Sequence, residues 1–219
     1  MECSLAAKKG DLTLLKALHK EGKQLDTMTT YYAAQSGNLE MLKYLYEHGC
    51  PWDENAPAVA AYYGHFECLQ YLHENGCKWD ILTAQCAAQF ARIDMLKYLH
   101  ENGCPWGPSI TADAGKSGNL ECLKFVYETC GKKWSSETVL NIVSRHNGEF
   151  IDCLQFAIEN GCPYDLNNVL FYLTDQLKKE HLDASEWLCS FLFPLVNSPS
   201  GMTKQLNQLC KAKLAELQA

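Results

Sequence analysis

The chain has 219 residues, 47% of them apolar and 21% charged, and a net charge of −7 at neutral pH. That balance is globular. It argues against a nucleic-acid partner, whose capture depends on Lys/Arg side chains neutralising phosphates, and no Lys/Arg cluster stands in the sequence.

Taken in chain order, the elements repeat. Leu15, Leu42, Leu69, Leu96 and Leu123 recur every 27 residues (15 to 42, 42 to 69 and onward), and Leu154 belongs to a less regular sixth copy. Each copy opens with a short helix rich in small residues: Ala6-Ala7, Ala33-Ala34, Ala60-Ala61, Ala87-Ala88 and Ala114-Gly115. A glycine then turns the chain, at Gly10, Gly37, Gly64 and Gly118. Ala91 replaces it in the fourth copy, where a cost of about 1 kcal/mol and a local distortion are expected if φ is positive. The second helix follows, with Leu39, Leu42, Leu45 and Tyr46, then Phe66, Leu69 and Leu72, then Ile93, Leu96 and Leu99 at helical spacing. Asp11, Asn38 and Asn119 are suited to cap its N-terminus, and Gly22, Gly49, Gly76 and Gly103 to end it.

Boundaries near 1–27, 28–54, 55–81, 82–108, 109–136 and 137–166 define six units. Residues 167–219 read as a degenerate repeat and C-terminal capping helices, with candidate helices at 167–180, 184–196 and 204–218. A stack of this kind shares one elongated core in which each unit buries its apolar face against its neighbours. The predicted fold class is therefore an all-α helical-repeat solenoid with a helical C-terminal cap.

The unit ending Gly-x-x-Trp, at Gly49/Trp52, Gly76/Trp79 and Gly103/Trp106, continues with Leu25, Trp134 and Tyr164. One large ring per unit is most simply a packing ladder between units. Cys50, Cys77, Cys104 and Cys162 each follow a glycine, and Cys68, Cys122 and Cys153 each precede the leucine. Residues a repeat apart are too distant for disulfides, so these thiols are expected to be small buried hydrophobes in a reducing compartment. The segment 1–10 lacks an apolar run of signal-peptide length, and the longest oily stretch, 187–196, is too short to cross a bilayer. An intracellular location, in the cytoplasm or the nucleus, with no membrane contact is expected.

His73 with Cys77, and His100 with Cys104, have a His-x-x-x-Cys spacing that suggests metal ligands, but no Cys-x-x-Cys pair stands ready to complete a zinc site. No glycine-rich oxyanion or phosphate loop accompanies any cysteine, and the candidates recur several times, whereas a catalytic constellation is singular. The expectation is no enzyme, no cofactor and no metal. A homo-oligomeric structural component and a Cys/His metal-binding protein are the alternatives.

The segment Ala60-Ala61-Tyr62-Tyr63-Gly64-His65-Phe66-Glu67-Cys68-Leu69-Gln70-Tyr71-Leu72 resembles the ankyrin repeat, and Gly76-Cys77-Lys78-Trp79-Asp80 is similar to that family's unit ending. The resemblance departs from the family in length, 27 residues against the usual 33, and in lacking the Thr-Pro-Leu-His segment. Only Ile81 to Cys86 separate Asp80 from Ala87, too few for a hairpin. Short units of this kind resemble those of large DNA viruses of amoebae and of protists. The resemblance implies a protein-binding scaffold that recognises another protein on the concave face made by the first helices, and a monomer is expected.

Within each unit, the two positions before the interhelix turn vary while their surroundings stay constant: Lys8-Lys9, Gln35-Ser36, Tyr62-Tyr63, Gln89-Phe90 and Lys116-Ser117. The resemblance puts these positions on the groove. The candidate partner-binding residues are Lys8, Lys9, Tyr31, Gln35, Tyr62, Tyr63, Gln85, Gln89, Phe90 and Lys116, with Asn141 as an extension. Tyr62, Tyr63 and Phe90 are the anchor candidates, because aromatic side chains dominate binding hot spots. Glu47, Glu74, Glu101 and Glu128, beside Lys43, Lys97 and Lys124, are expected on a solvated exterior with i,i+4 pairing.

Overall fold

A computed structural model describes residues 2–144 and 150–165, together with 168, 169 and 172. The expected helices at 184–196 and 204–218 lie outside the described residues, as does most of 167–180.

Among the described residues the structure is all-helical and forms six helix pairs. The first helices are α1 (Glu2–Lys8), α3 (Thr27–Ser36), α5 (Asn55–Tyr63), α7 (Ile81–Gln89), α9 (Ile110–Ser117) and α11 (Thr138–Val143). Their partners are α2 (Leu12–Lys20), α4 (Leu39–Glu47), α6 (Phe66–Glu74), α8 (Ile93–Glu101), α10 (Leu120–Thr129) and α12 (Phe150–Glu159). The first helix is not uniformly the shorter: α3 has 10 residues against 9 in α4, and α5 and α7 match their partners at 9. Each first helix packs on its own partner and on the first helix of the next unit, from α1 to α3 and on to α11. This nearest-neighbour pattern is that of a helical-repeat solenoid.

The alanine pairs make the first-helix row. Ala33, Ala34, Ala60, Ala61, Ala87, Ala88 and Ala114 are fully buried, and Gly115 stands where a Cβ would come within 2.9 Å of Ile142. In α7 the buried positions are 83, 84, 87 and 88, one face at helical spacing, and the opposite face carries 82, 85, 86 and 89. The second helices contribute the larger side chains. Leu42, Leu69, Leu96 and Leu123 are wholly enclosed, each worth about 2 kcal/mol of burial. Met41, Cys68, Met95 and Cys122, the residues before those leucines, are buried with them.

The interhelix turn keeps its form where alanine replaces glycine. Gly64 has φ 84°, with its N–H donating to Ala61 and the next N–H, of His65, donating to Ala60. Ala91 takes φ 51° and keeps both bonds, to Ala88 at 3.1 Å and from Arg92 to Ala87 at 2.8 Å. The expected distortion of the turn is absent. The alanine carries its strain in the left-handed conformation because two hydrogen bonds hold it there.

The unit ending does four jobs in five residues. Gly76 ends α6 at φ 83°, and Cys77 N–H donates to Leu72, which closes the helix. The Cys77 thiol donates to the Asp53 carbonyl at 3.3 Å, as Cys50 does to Asp26 at 3.3 Å and Cys104 to Asp80 at 3.5 Å. Each of those bonds ties the close of one unit to the close of the unit before it. Trp79 stacks on His73 at 3.7 Å and meets Tyr98 of the next unit edge-on at 6.1 Å. Asp80 then accepts from the Leu82 N–H at 3.0 Å and starts α7, leaving no room for a hairpin. Asp26 does the same for α3 with a full capping box through Thr29.

Groups of rings recur along the second helices, one at each unit junction. Trp52 stacks on Tyr46, Trp106 packs against His100 and Phe125, and Trp134 stacks on Tyr127 at 4.2 Å. His19 and His73 bond the Tyr44 and Tyr98 hydroxyls at 2.8 and 2.9 Å. Tyr46 thus serves the ladder from a 43% exposed position rather than the leucine core. The exterior charges follow the expected i,i+4 scheme at Glu128, which pairs with Lys132 at 3.6 Å, and depart from it elsewhere. Lys43 reaches back to Glu40 at 2.7 Å and Lys97 to Asp94 at 3.9 Å, both i,i+3, while Lys124 lies over the Phe156 ring.

Trp79→Ala is expected to lower stability by about 3 kcal/mol, because it empties a rung between two units. Ala91→Gly is expected to raise it by up to about 1 kcal/mol, because glycine relieves the positive φ. Both are read from urea midpoints. Burial pushes the Cys77, Cys104 and Cys122 thiols up to about 12 and those of Cys68 and Cys162 up to about 11. The unfolded chain sheds these protons near pH 9 and the folded chain does not, so stability is full below pH 9 and falls as pH rises toward 12. Urea titrations across that range, with a Cys68→Ala/Cys77→Ala variant showing the shallower fall, check the effect.

Candidate functional site

Because α5 and α7 commit their alanine faces to the stack, their other faces look out together. Between them lies an open hollow of about 240 Å³ lined by Tyr31, Asn55, Ala58, Val59, Tyr62, Tyr63, Leu82 and Cys86. Tyr62, Tyr63, Leu82 and Phe90 are 43%, 44%, 45% and 36% exposed, so large apolar side chains sit half in water at one place. Tyr62 meets Phe90 edge-on at 4.4 Å and Tyr63 at 5.0 Å. These contacts hold the rings in a fixed arrangement, which lowers the entropy lost on binding.

The structure brings together some of the residues expected from the sequence and sets others apart. Tyr31, Tyr62 and Tyr63 line the hollow and Phe90 adjoins it. Gln35 donates to the Tyr63 hydroxyl at 2.7 Å and so steadies that ring. Gln85 donates to Ser109 Oγ at 2.6 Å, and Ser109 in turn reaches Asp113 at 3.4 Å, so Gln85 sits in a polar chain between α7 and α9. Gln89 is half-buried at the end of α7. Lys8 lies with its ammonium 5.3 Å from the centre of the Tyr32 ring, and Tyr32 packs edge-on against Tyr31 at 5.4 Å. Lys9 is exposed beside Lys8, and Lys116 is exposed on α9. Asn141 bonds the Ala112 carbonyl at 3.2 Å, an internal structural contact between α9 and α11.

Sequence reasoning missed Asn55, Ala58, Val59, Leu82 and Cys86. The signal was present: 82, 86 and 90 follow helical spacing on the face opposite the alanine pair of α7.

The ionisable groups of this face are shifted by burial. Burial raises the Tyr31 hydroxyl and the Cys86 thiol, with the carboxylates of Asp113 and Asp80 adding to the latter. Burial also raises the Asp113 carboxyl, against the hydrogen bond from Ser109 that favours its charged form. These directions oppose a reactive thiolate in the hollow. The His-x-x-x-Cys pairs diverge, since His73 is spent on Trp79 and Tyr98 and Cys77 on the Asp53 carbonyl. No group of three or more metal-ligating side chains stands together among the described residues. No described helix is long and apolar enough to cross a membrane.

No curated protein matches the chain. Residues 3–83 match the family model of ankyrin repeats, in three copies. Ankyrin repeats are in general protein-interaction modules, typically without catalytic activity. The matched segment runs from α1 into α7, and the same turn and unit ending recur beyond it at Gly103 and Gly118. Residues 3–83 are thus identified as ankyrin repeats, set in an array that is all-helical among the described residues.

Proposed function

We propose that the chain is a protein–protein interaction scaffold that holds a partner protein on the concave face formed by its first helices. The observation that carries this reading is the group of half-exposed rings and aliphatic side chains at Tyr62, Tyr63, Leu82 and Phe90, beside a row otherwise sealed by alanine. Aromatic anchors of this size lose water on contact and supply most of the affinity in protein interfaces. The polar positions around them, Gln35, Gln89, Lys8, Lys9 and Lys116, supply the rim. The ten free thiols among the described residues suit a reducing, intracellular setting.

Tyr62→Ala/Tyr63→Ala/Phe90→Ala is expected to melt within a few degrees of the wild type, since all three side chains are more than one-third exposed. In affinity purification from cells expressing either protein, the partners held by the wild type are expected to be lost from the triple variant. Recovery of the same partners by both proteins sinks the reading. Concentration-dependent mass in light scattering that the triple variant abolishes would turn it to self-association.

A further inference from the structure

We propose that the groove takes a partner segment of fixed polarity, one large apolar side chain seated between Tyr62 and Leu82 and its carboxylates directed toward Lys8 and Lys9. This rests on the reading of the first-helix face as the partner surface and adds the chemistry of what lies in it.

Three observations along one line carry it. At one end, Lys8 and Lys9 are exposed at the C-terminus of α1 and take part in no ion pair among the described residues. The Lys8 ammonium rests over Tyr32, and Tyr32 packs on Tyr31, so the cations join the hollow through two touching rings. In the middle, the hollow between α5 and α7 has apolar walls and room for one large side chain. At the far end the sign changes: the Asp113 carboxyl of α9 accepts from Ser109 Oγ at 3.4 Å, which Gln85 of α7 bonds in turn at 2.6 Å, and Glu137 stands at the N-cap of α11. Gln85 stands next to Cys86 of the hollow wall, so this polar chain joins the Asp113 carboxyl to the α7 side of the hollow.

A bound segment therefore meets two positive charges at the α1 end and the carboxylates of Asp113 and Glu137 at the α9 end. Carboxylates on a partner gain at the first and are repelled at the second, which sets the direction in which the segment lies. The partner chemistry is an apolar or aromatic anchor with Asp or Glu on one side of it only. The net charge of −7 makes this local reversal matter, since an acidic partner is repelled by the surface at large and is drawn only to the α1 end.

The test is selection of phage-displayed random dodecapeptides on the full chain, with Tyr62→Ala and Lys8→Glu/Lys9→Glu versions in parallel. Enriched peptides are expected to carry an aromatic or large aliphatic residue with Asp/Glu consistently on one side. Their binding is expected to fall about tenfold or more on the charge-reversed protein. Selection on that protein is expected to yield Lys/Arg in place of Asp/Glu. Peptides that need Tyr62 but show no acidic bias, or that bind the charge-reversed protein equally, overturn the polarity and leave the groove standing. Peptides indifferent to Tyr62→Ala, or no enrichment on the wild type, overturn the groove as well. Circular dichroism of both variants, whose substituted side chains are solvent-exposed, confirms that each is folded.

Discussion

Close contact between the first helices, through paired alanines with no exposed surface, is the constraint on which the rest of this structure depends. A methyl group is small enough for neighbouring helix backbones to approach, and its own burial contributes little. The larger gain comes from what the approach permits. It brings the second helices into a row where Leu42, Leu69, Leu96 and Leu123 are enclosed and where rings meet across unit junctions at Tyr46–Tyr71, Trp79–Tyr98 and Trp106–Phe125. A bulkier residue in the alanine row would separate the first helices and open both features together.

The second economy lies in the unit ending. Ankyrin units of usual length place a longer connection between one unit and the next. Here a glycine in the left-handed conformation, a buried thiol, an indole and a capping carboxylate act in succession over Gly76 to Asp80. The thiol role explains the many cysteines without disulfide chemistry. A buried Sγ donates to the Asp53 carbonyl, which also accepts from the Ala56 N–H at the start of α5, and a charged thiolate there is opposed by burial.

Structural duties and the proposed binding duties fall on opposite sides of the same helix pairs. The rings beside the second helices are stacked on histidines and tyrosines and help to hold units together. The rings on the first helices touch one another and open to a hollow. Aromatic side chains of the same type thus do different work according to whether their faces are already covered. Tyr98 lies against Trp79 and accepts or donates at His73, whereas Tyr62 keeps 43% of its surface in water.

The spacing of the leucines, the alanine pairs and the glycines was enough to determine the helix pairs and their order of stacking, because each pattern is local and repeats in register. It also singled out Tyr62, Tyr63 and Phe90 as candidates, since variation amid constant neighbours is visible along the chain. What only the tertiary structure decided was which side chains from separate units meet. Leu82 and Cys86 join Tyr31 and Val59 across α3, α5 and α7, and Gln85 is drawn into the contacts of Ser109. The strain at Ala91 was legible, but its tolerance was not, because that depends on two backbone bonds formed only when the turn closes. A repeat announces each unit by itself, and a groove exists only where the faces of several units converge.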